Sequence, residues 1–131
     1  MVRQIFFANG SRLLALLILL SLAGKESFAQ RPAMELLETK ESITQDSLNI
    51  VGRVKNISNR EVSGVSVICD FQDGSGKSIR TEKGFLETDP LPADETSQFK
   101  ISAKYDAAIK RYNVTFREMF GGLLVTKDSR K

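Results

Sequence analysis

From residue 34 onward, apolar residues recur at every second position in short runs separated by turn-forming clusters. No stretch sustains the i, i+3, i+4 spacing of an amphipathic helix through three turns. A period of two sends alternate side chains to opposite faces of an extended chain, so each run has one face to bury. Six or seven such runs, with turn signals about every ten residues, predict an all-β chain folded as two packed antiparallel sheets, a β-sandwich.

A first strand is expected within residues 34–44. In the second run Leu48, Ile50, Gly52 and Val54 share one face, with Asn49, Arg53 and Lys55 opposite and Val51 as the apolar exception. Asn56-Ile57-Ser58-Asn59-Arg60 closes it as a turn. Val65, Val67, Cys69 and Phe71 mark the inner face of the third run, and Asp73-Gly74-Ser75-Gly76 supplies the positive-φ residues of a hairpin. The fourth run, over residues 77–86, is expected to break at Gly84. Asp89-Pro90-Leu91-Pro92-Ala93-Asp94 reads as a crossing loop, because its prolines lack the donors a ladder requires. Phe99, Ile101 and Ala103 face inward in the next run, and Tyr112, Val114 and Phe116 in the one after it. Residues 106–110 form a corner or one helical turn. Gly121-Gly122 ends the last good strand, and residues 123–125 make a short final one before a charged, solvated tail at 127–131.

Ahead of this domain, Arg3 and Arg12 accompany an eleven-residue apolar run at residues 13–23, and Ser27-Phe28-Ala29 puts small residues where a signal peptidase reads. Residues 1–29 therefore read as a signal peptide helix cut between Ala29 and Gln30, followed by a short linker at 30–33 and one domain over 34–126. A bilayer span takes roughly 20 apolar residues, so no stable membrane span is expected. Lys25 stands where a lipid-bearing cysteine would follow Gly24. The product is expected in the periplasm or outside the cell, with an uncleaved N-terminal anchor as the alternative.

Cleavage removes Arg3, Arg12 and Lys25 against Glu26, so the formal charge of +3 falls to +1. The alkaline pI thus belongs partly to the leader, and no nucleic-acid partner follows from it. About a hundred residues remain, enough for one core. Cys69 is the single cysteine, which excludes an internal disulfide. Alternation places it in the core between Val67 and Phe71, away from the cationic surroundings of a reactive thiol. Histidine is absent, which excludes an imidazole base and a histidine-ligated zinc. A domain this small leaves little volume for a deep pocket, and the chain reads as non-catalytic, with no cofactor.

The run Ile50-Val51-Gly52-Arg53-Val54-Lys55-Asn56-Ile57-Ser58 resembles the G-x-V-x-N-x-S strand and turn of the FxLYD domain, a small bacterial sandwich of immunoglobulin/fibronectin III-like shape. Val62 to Val67 resembles its V-x-x-V-x-V strand, and Asp73 to Gly76 its D-x-x-G hairpin. Leu91-Pro92-Ala93-Asp94-Glu95-Thr96 is similar to its L-x-P-G-E-T loop, with Ala93 in place of glycine, and Tyr112-Asn113-Val114 to its closing Y-x-V strand. Cys69-Asp70-Phe71-Gln72-Asp73 occupies the naming motif, keeping the aspartate but not the first aromatic or the tyrosine. The resemblance covers residues 34–120 and implies an accessory or binding role in exported proteins, with no shared catalytic site.

Other motifs read more plainly. Gly74-Ser75-Gly76-Lys77-Ser78 matches the end of a P-loop, but Phe71 stands where that motif needs glycine and a strand-like run follows, so a hairpin turn is expected. The sequons at Asn56 and Asn113 read as chance occurrences, Asn56 being a strand-end residue whose side chain bonds the next turn. The expected role is binding another exported or envelope protein through loops or unpaired strand edges, with Lys77, Arg80 and Lys83 guarding an edge at the fourth strand. The alternative is calcium or glycan binding at one loop end. Asp70, Asp73, Asp89, Asp94 and Glu95 are the candidate oxygen donors there, although calcium needs about six to eight oxygens around one point.

Overall fold

The computed structural model describes residues 31–130; the leader at 1–29 and its cut before Gln30 lie outside the described residues. Eight strands follow in order: β1 (Met34–Thr44), β2 (Ser47–Asn56), β3 (Val65–Gln72), β4 (Ser78–Phe85), β5 (Thr96–Lys104), β6 (Arg111–Glu118), β7 (Gly122–Leu124) and β8 (Thr126–Asp128). Sheet I has the order β5-β2-β1-β8 and sheet II the order β4-β3-β6-β7. Every pairing is antiparallel except β1 with β8, and the two sheets make an immunoglobulin/fibronectin III-like sandwich.

The inner faces are those the alternation marks. Ile50 and Val54 of β2, Val67, Cys69 and Phe71 of β3, Phe99 and Ile101 of β5, and Phe116 of β6 are buried between the sheets. Burial of each large apolar side chain contributes roughly 1.5–3 kcal/mol, and this replaces the disulfide that a lone cysteine cannot form. Phe99 meets Phe116 edge to face, with centroids 5.7 Å apart. Gly52 is the partner of Phe99 in the β2–β5 register, and a Cβ at Gly52 would lie 2.2 Å from Phe99 Cζ. The ring therefore rests on bare backbone, the way an aromatic residue covers a cross-strand glycine.

Asn56, fully buried at the end of β2, bonds the following turn as its sequence position suggests. Its Nδ2 donates to the carbonyls of Arg60 at 2.9 Å and Leu91 at 3.0 Å, while its Oδ1 accepts from Ser58 N and Oγ. One side chain thus ties the β2–β3 connection to the β4–β5 loop. Leu91, also buried, completes that tie by exchanging backbone hydrogen bonds with Val62.

Gly84, expected to break the fourth strand, lies within β4 and pairs with Val67. A Cβ there would sit 2.7 Å from Ile101 Cδ1 and 2.9 Å from the Lys100 carbonyl. The missing side chain lets the edge of sheet I close on the edge of sheet II, where Leu86 bridges Phe99 and Glu87 N donates to Gln98 O at 2.9 Å. Arg80 is no outward guard either: it stands opposite inward-facing Phe71, and its Nε is buried.

The charged segment at 127–131 is not a solvated tail over its described part. Val125 carries the chain from sheet II to sheet I, β8 runs parallel to β1, and Ser129 N donates to Leu36 O at 2.9 Å. Ala33, the last residue of the expected linker, is likewise tied, since its N donates to Val125 O at 2.8 Å and its O accepts from Ile57 N. The domain therefore extends past residue 126. A three-residue edge strand with a charged outer residue has no period to detect, which is why sequence alternation misses it.

Gly52→Ala is expected to destabilise the domain by about 1–3 kcal/mol, because the added methyl must displace the Phe99 ring. Val51→Thr, one residue away on the outer face, should change stability by less than about 0.5 kcal/mol. Urea unfolding of both variants checks the assignment, and equal midpoints would contradict it.

Candidate binding groove

β8 reaches only Met34, Glu35 and Leu36 of β1, and β7 reaches only Phe116, Arg117 and Glu118 of β6. Beyond those contacts, β1 from Glu38 onward and β6 up to Thr115 each keep one edge without a strand neighbour. Between these edges the sandwich opens into a groove of about 890 Å³.

The opening follows from the residues of β1. Its register shifts between Leu36 and Glu38, and after the shift the inward positions hold Thr39 and Glu41. Polar groups buried without partners are costly, so the sheets cannot close dry over them. Tyr112 of β6 supplies the partner: its hydroxyl donates to the Glu41 carboxylate and lies 2.8 Å from Thr39 Oγ1. Its ring rests against Phe71, with centroids 6.1 Å apart. Burial, and then the bond to Glu41, push the phenol up to about 12.

The C-terminal segment forms the third side. Arg130 forks onto Asp128 through Nε at 2.9 Å and Nη2 at 2.7 Å, donates from Nη1 to Thr39 Oγ1, and lies 5.5 Å over the Tyr112 ring. The Arg130 guanidinium beside it holds the Asp128 carboxyl below its usual range, and the same hydrogen bonds raise Arg130. Ile43, Leu48 and Ile109 add apolar surface, Tyr105 is half exposed at the rim, and Lys110 and Arg111 line the β6 side. Asp128 and Arg130 are thus held as an ion pair, while the Tyr112 phenol is held in its protonated, hydrogen-bonding form.

The candidate residues from the sequence lie elsewhere. Asp70 accepts from Ser78 Oγ at 2.5 Å and Gln72 Nε2 at 3.0 Å, and Asp73 caps the β3–β4 hairpin by accepting from Ser75 N and Lys77 N. Gly74 to Ser78 therefore form a turn leading into β4, where a P-loop would need a helix. Asp89, Asp94 and Glu95 sit in the β4–β5 loop at the other end of the sandwich, Asp89 accepting from Gly64 N at 3.0 Å. The five carboxylates are thus divided between two poles, and no three metal-ligating side chains gather among the described residues. Cys69 is fully buried in the core, and burial pushes its thiol up to about 12. Sequence reasoning places Tyr112 on an inner face but misses its neighbours; inward polar residues at Thr39 and Glu41 are the signal that could have found them.

No family model matches the chain, and no curated protein sequence matches it. Among solved structures, the IrmA protein of Escherichia coli is similar with a TM-score of 0.56 and 11% identity, covering 75% of this chain and 92% of that one. That likeness is one of fold. β-Glucosidase 3B from Thermotoga neapolitana, solved with glucose, aligns over 70% of this chain and 15% of its own, at 14% identity and a TM-score of 0.42.

Tyr112 gives a direct readout. Its folded phenol ionises near 12, above the unfolded value near 10, so the folded state keeps a proton that the unfolded state loses between them. Its contribution to stability is complete below about pH 10 and is lost as pH rises toward 12. Spectroscopic titration should resolve one tyrosine near 12 that vanishes in Tyr112→Phe, and that variant should flatten the alkaline loss of stability. A wild-type titration without that late tyrosine would contradict the groove geometry.

Proposed function

We propose that the chain is an exported, non-catalytic module of the FxLYD kind that binds a protein of the cell envelope by taking up an extended segment of it in the β1–β6 groove. The carrying observation is the pair of unpaired strand edges that flank the groove. Their free N–H and C=O groups are what strand addition uses, and the side chains between them offer pockets for alternate residues of the guest. The lining carries both signs of charge, Glu41 and Asp128 together with Lys110, Arg111 and Arg130, which suits a guest of mixed charge.

The edge expected at β4 gives this reading less support, since its Gly84 end is already joined to β5. Loop-end calcium binding is disfavoured because the candidate carboxylates are divided between two poles, and three of them, Asp70, Asp73 and Asp89, already accept from backbone or hydroxyl donors.

A photo-crosslinking residue placed at Ile43 or Lys110 of the full chain, expressed in its own cells, should yield one adduct of fixed mass. The same residue at Thr88, in the β4–β5 loop, should yield none. Equal adducts at all three positions, or none at any, would overturn the reading. Millimolar calcium is expected to leave the melting temperature unmoved, whereas a rise would restore the loop-end alternative.

A further inference from the structure

The outer face of sheet I carries Lys40, Arg53, Lys55, Lys100, Lys104 and Lys127, with Glu35 and Glu38 as its carboxylates. The strand register gathers these cations from four separate segments. Lys100, Val51 and Lys40 form one cross-strand row, and Thr96, Lys55, Glu35 and Lys127 form another. With strands about 4.8 Å apart, Lys40 and Lys100 stand roughly 10 Å from each other; Lys100 and Lys104, along one strand, are about 13 Å apart.

Both carboxylates are already engaged. Glu38 pairs with Arg53 at 3.2 Å, and Glu35 accepts from Ser129 Oγ at 2.7 Å. Among the described residues, the five lysines of this face make no ion pair. The excess is local: the chain beyond the leader has a formal charge of only +1, and acidic residues collect instead on the β4–β5 loop as Glu87, Asp89, Asp94 and Glu95. Between the cations stand hydroxyl and amide groups. Ser102 Oγ donates to Asn49 Oδ1 at 2.8 Å, and Asn49 Nδ2 donates to Thr44 Oγ1 at 2.9 Å, with Ser42 and Gln98 beside them.

We propose that this face binds an anionic polysaccharide. Cations set roughly 10 Å apart across the strands can hold a chain that carries charge along its length at several points at once, and the interleaved hydroxyl and amide groups suit its sugar hydroxyls. A protein that seats on a lipid surface also inserts apolar side chains. Here Val51 is the one large exposed apolar residue of the face, and the exposed rings of Phe85 and Phe120 belong to other elements. The site is separate from the β1–β6 groove, so either can fail without the other.

The test uses immobilised polygalacturonate as the probe, with neutral dextran beside it. The protein should bind polygalacturonate, weaken as salt shortens the Debye length, and ignore dextran. Lys40→Glu with Lys100→Glu should lower affinity by about tenfold or more, in the manner of lost polyanion contacts. Lys77→Glu with Lys83→Glu makes the same change in net charge away from this face and should stay within about threefold. Melting curves establish that the variants fold; should the first pair fail, Lys40→Gln with Lys100→Gln carries the comparison, with a loss of about threefold expected. Equal losses in both charge-reversal pairs, no binding to polygalacturonate, or tighter binding to phosphatidylglycerol vesicles or duplex DNA would each overturn the proposal.

Discussion

The contact of the Phe99 ring with the bare backbone of Gly52 is the constraint from which the rest of this sandwich follows. With one cysteine and about a hundred residues, the domain has no covalent crosslink, so side chains that cross the gap must hold the sheets. Phe99 does so from β5, stacking edge to face on Phe116 of β6, and its strand is drawn in until Gly84 lets the two edges touch. That side of the molecule is closed by packing and by backbone bonds at once.

The other side is left open for a related reason. β7 and β8 are three residues each, and one residue, Val125, takes the chain between sheets. Past their ends, β1 turns polar on its inner face at Thr39 and Glu41, and the interior there is built from hydrogen bonds around Tyr112. Hydrogen bonds are directional, and each unmade one is costly, whereas apolar packing tolerates repacking. The groove is therefore the place where this domain exchanges packing energy for a defined arrangement of donors, acceptors and charge.

Much of the fold was legible in the sequence because burial in a sheet writes itself with a period of two. The inner faces of β2, β3, β5 and β6 follow the alternation residue by residue, and Asn56 bonds its turn as its position suggests. What escaped had no period. β8 is too short and too charged, Gly84 has its meaning only against Ile101 on a strand of the other sheet, and Arg80 points inward at an edge where solvent still reaches part of it. The groove escaped for the same reason: it depends on β1, β6 and the C-terminal segment meeting, and alternation within one strand says nothing of which strands stop short.

The two ends of the sandwich are anchored differently, and this bears on how the groove would receive a guest. At one pole Asn56, the Arg60–Glu118 pair and Asp89 with Gly64 N cross-tie the loops through side chains. At the groove pole neighbouring segments are joined by backbone bonds, Tyr105 N to Asp46 O and Lys110 N to Gln72 O, while Asp73 and Asp106 cap their own turns. These bonds hold the rim residues Tyr105 and Lys110 without using their side chains, which stay available for contact. A rim already ordered in this way lowers the entropy that association must spend on arranging it. The free edges of β1 and β6 are likewise held in place by pairing with β2 and β3 on their other sides, so a guest strand would meet two rails already in place.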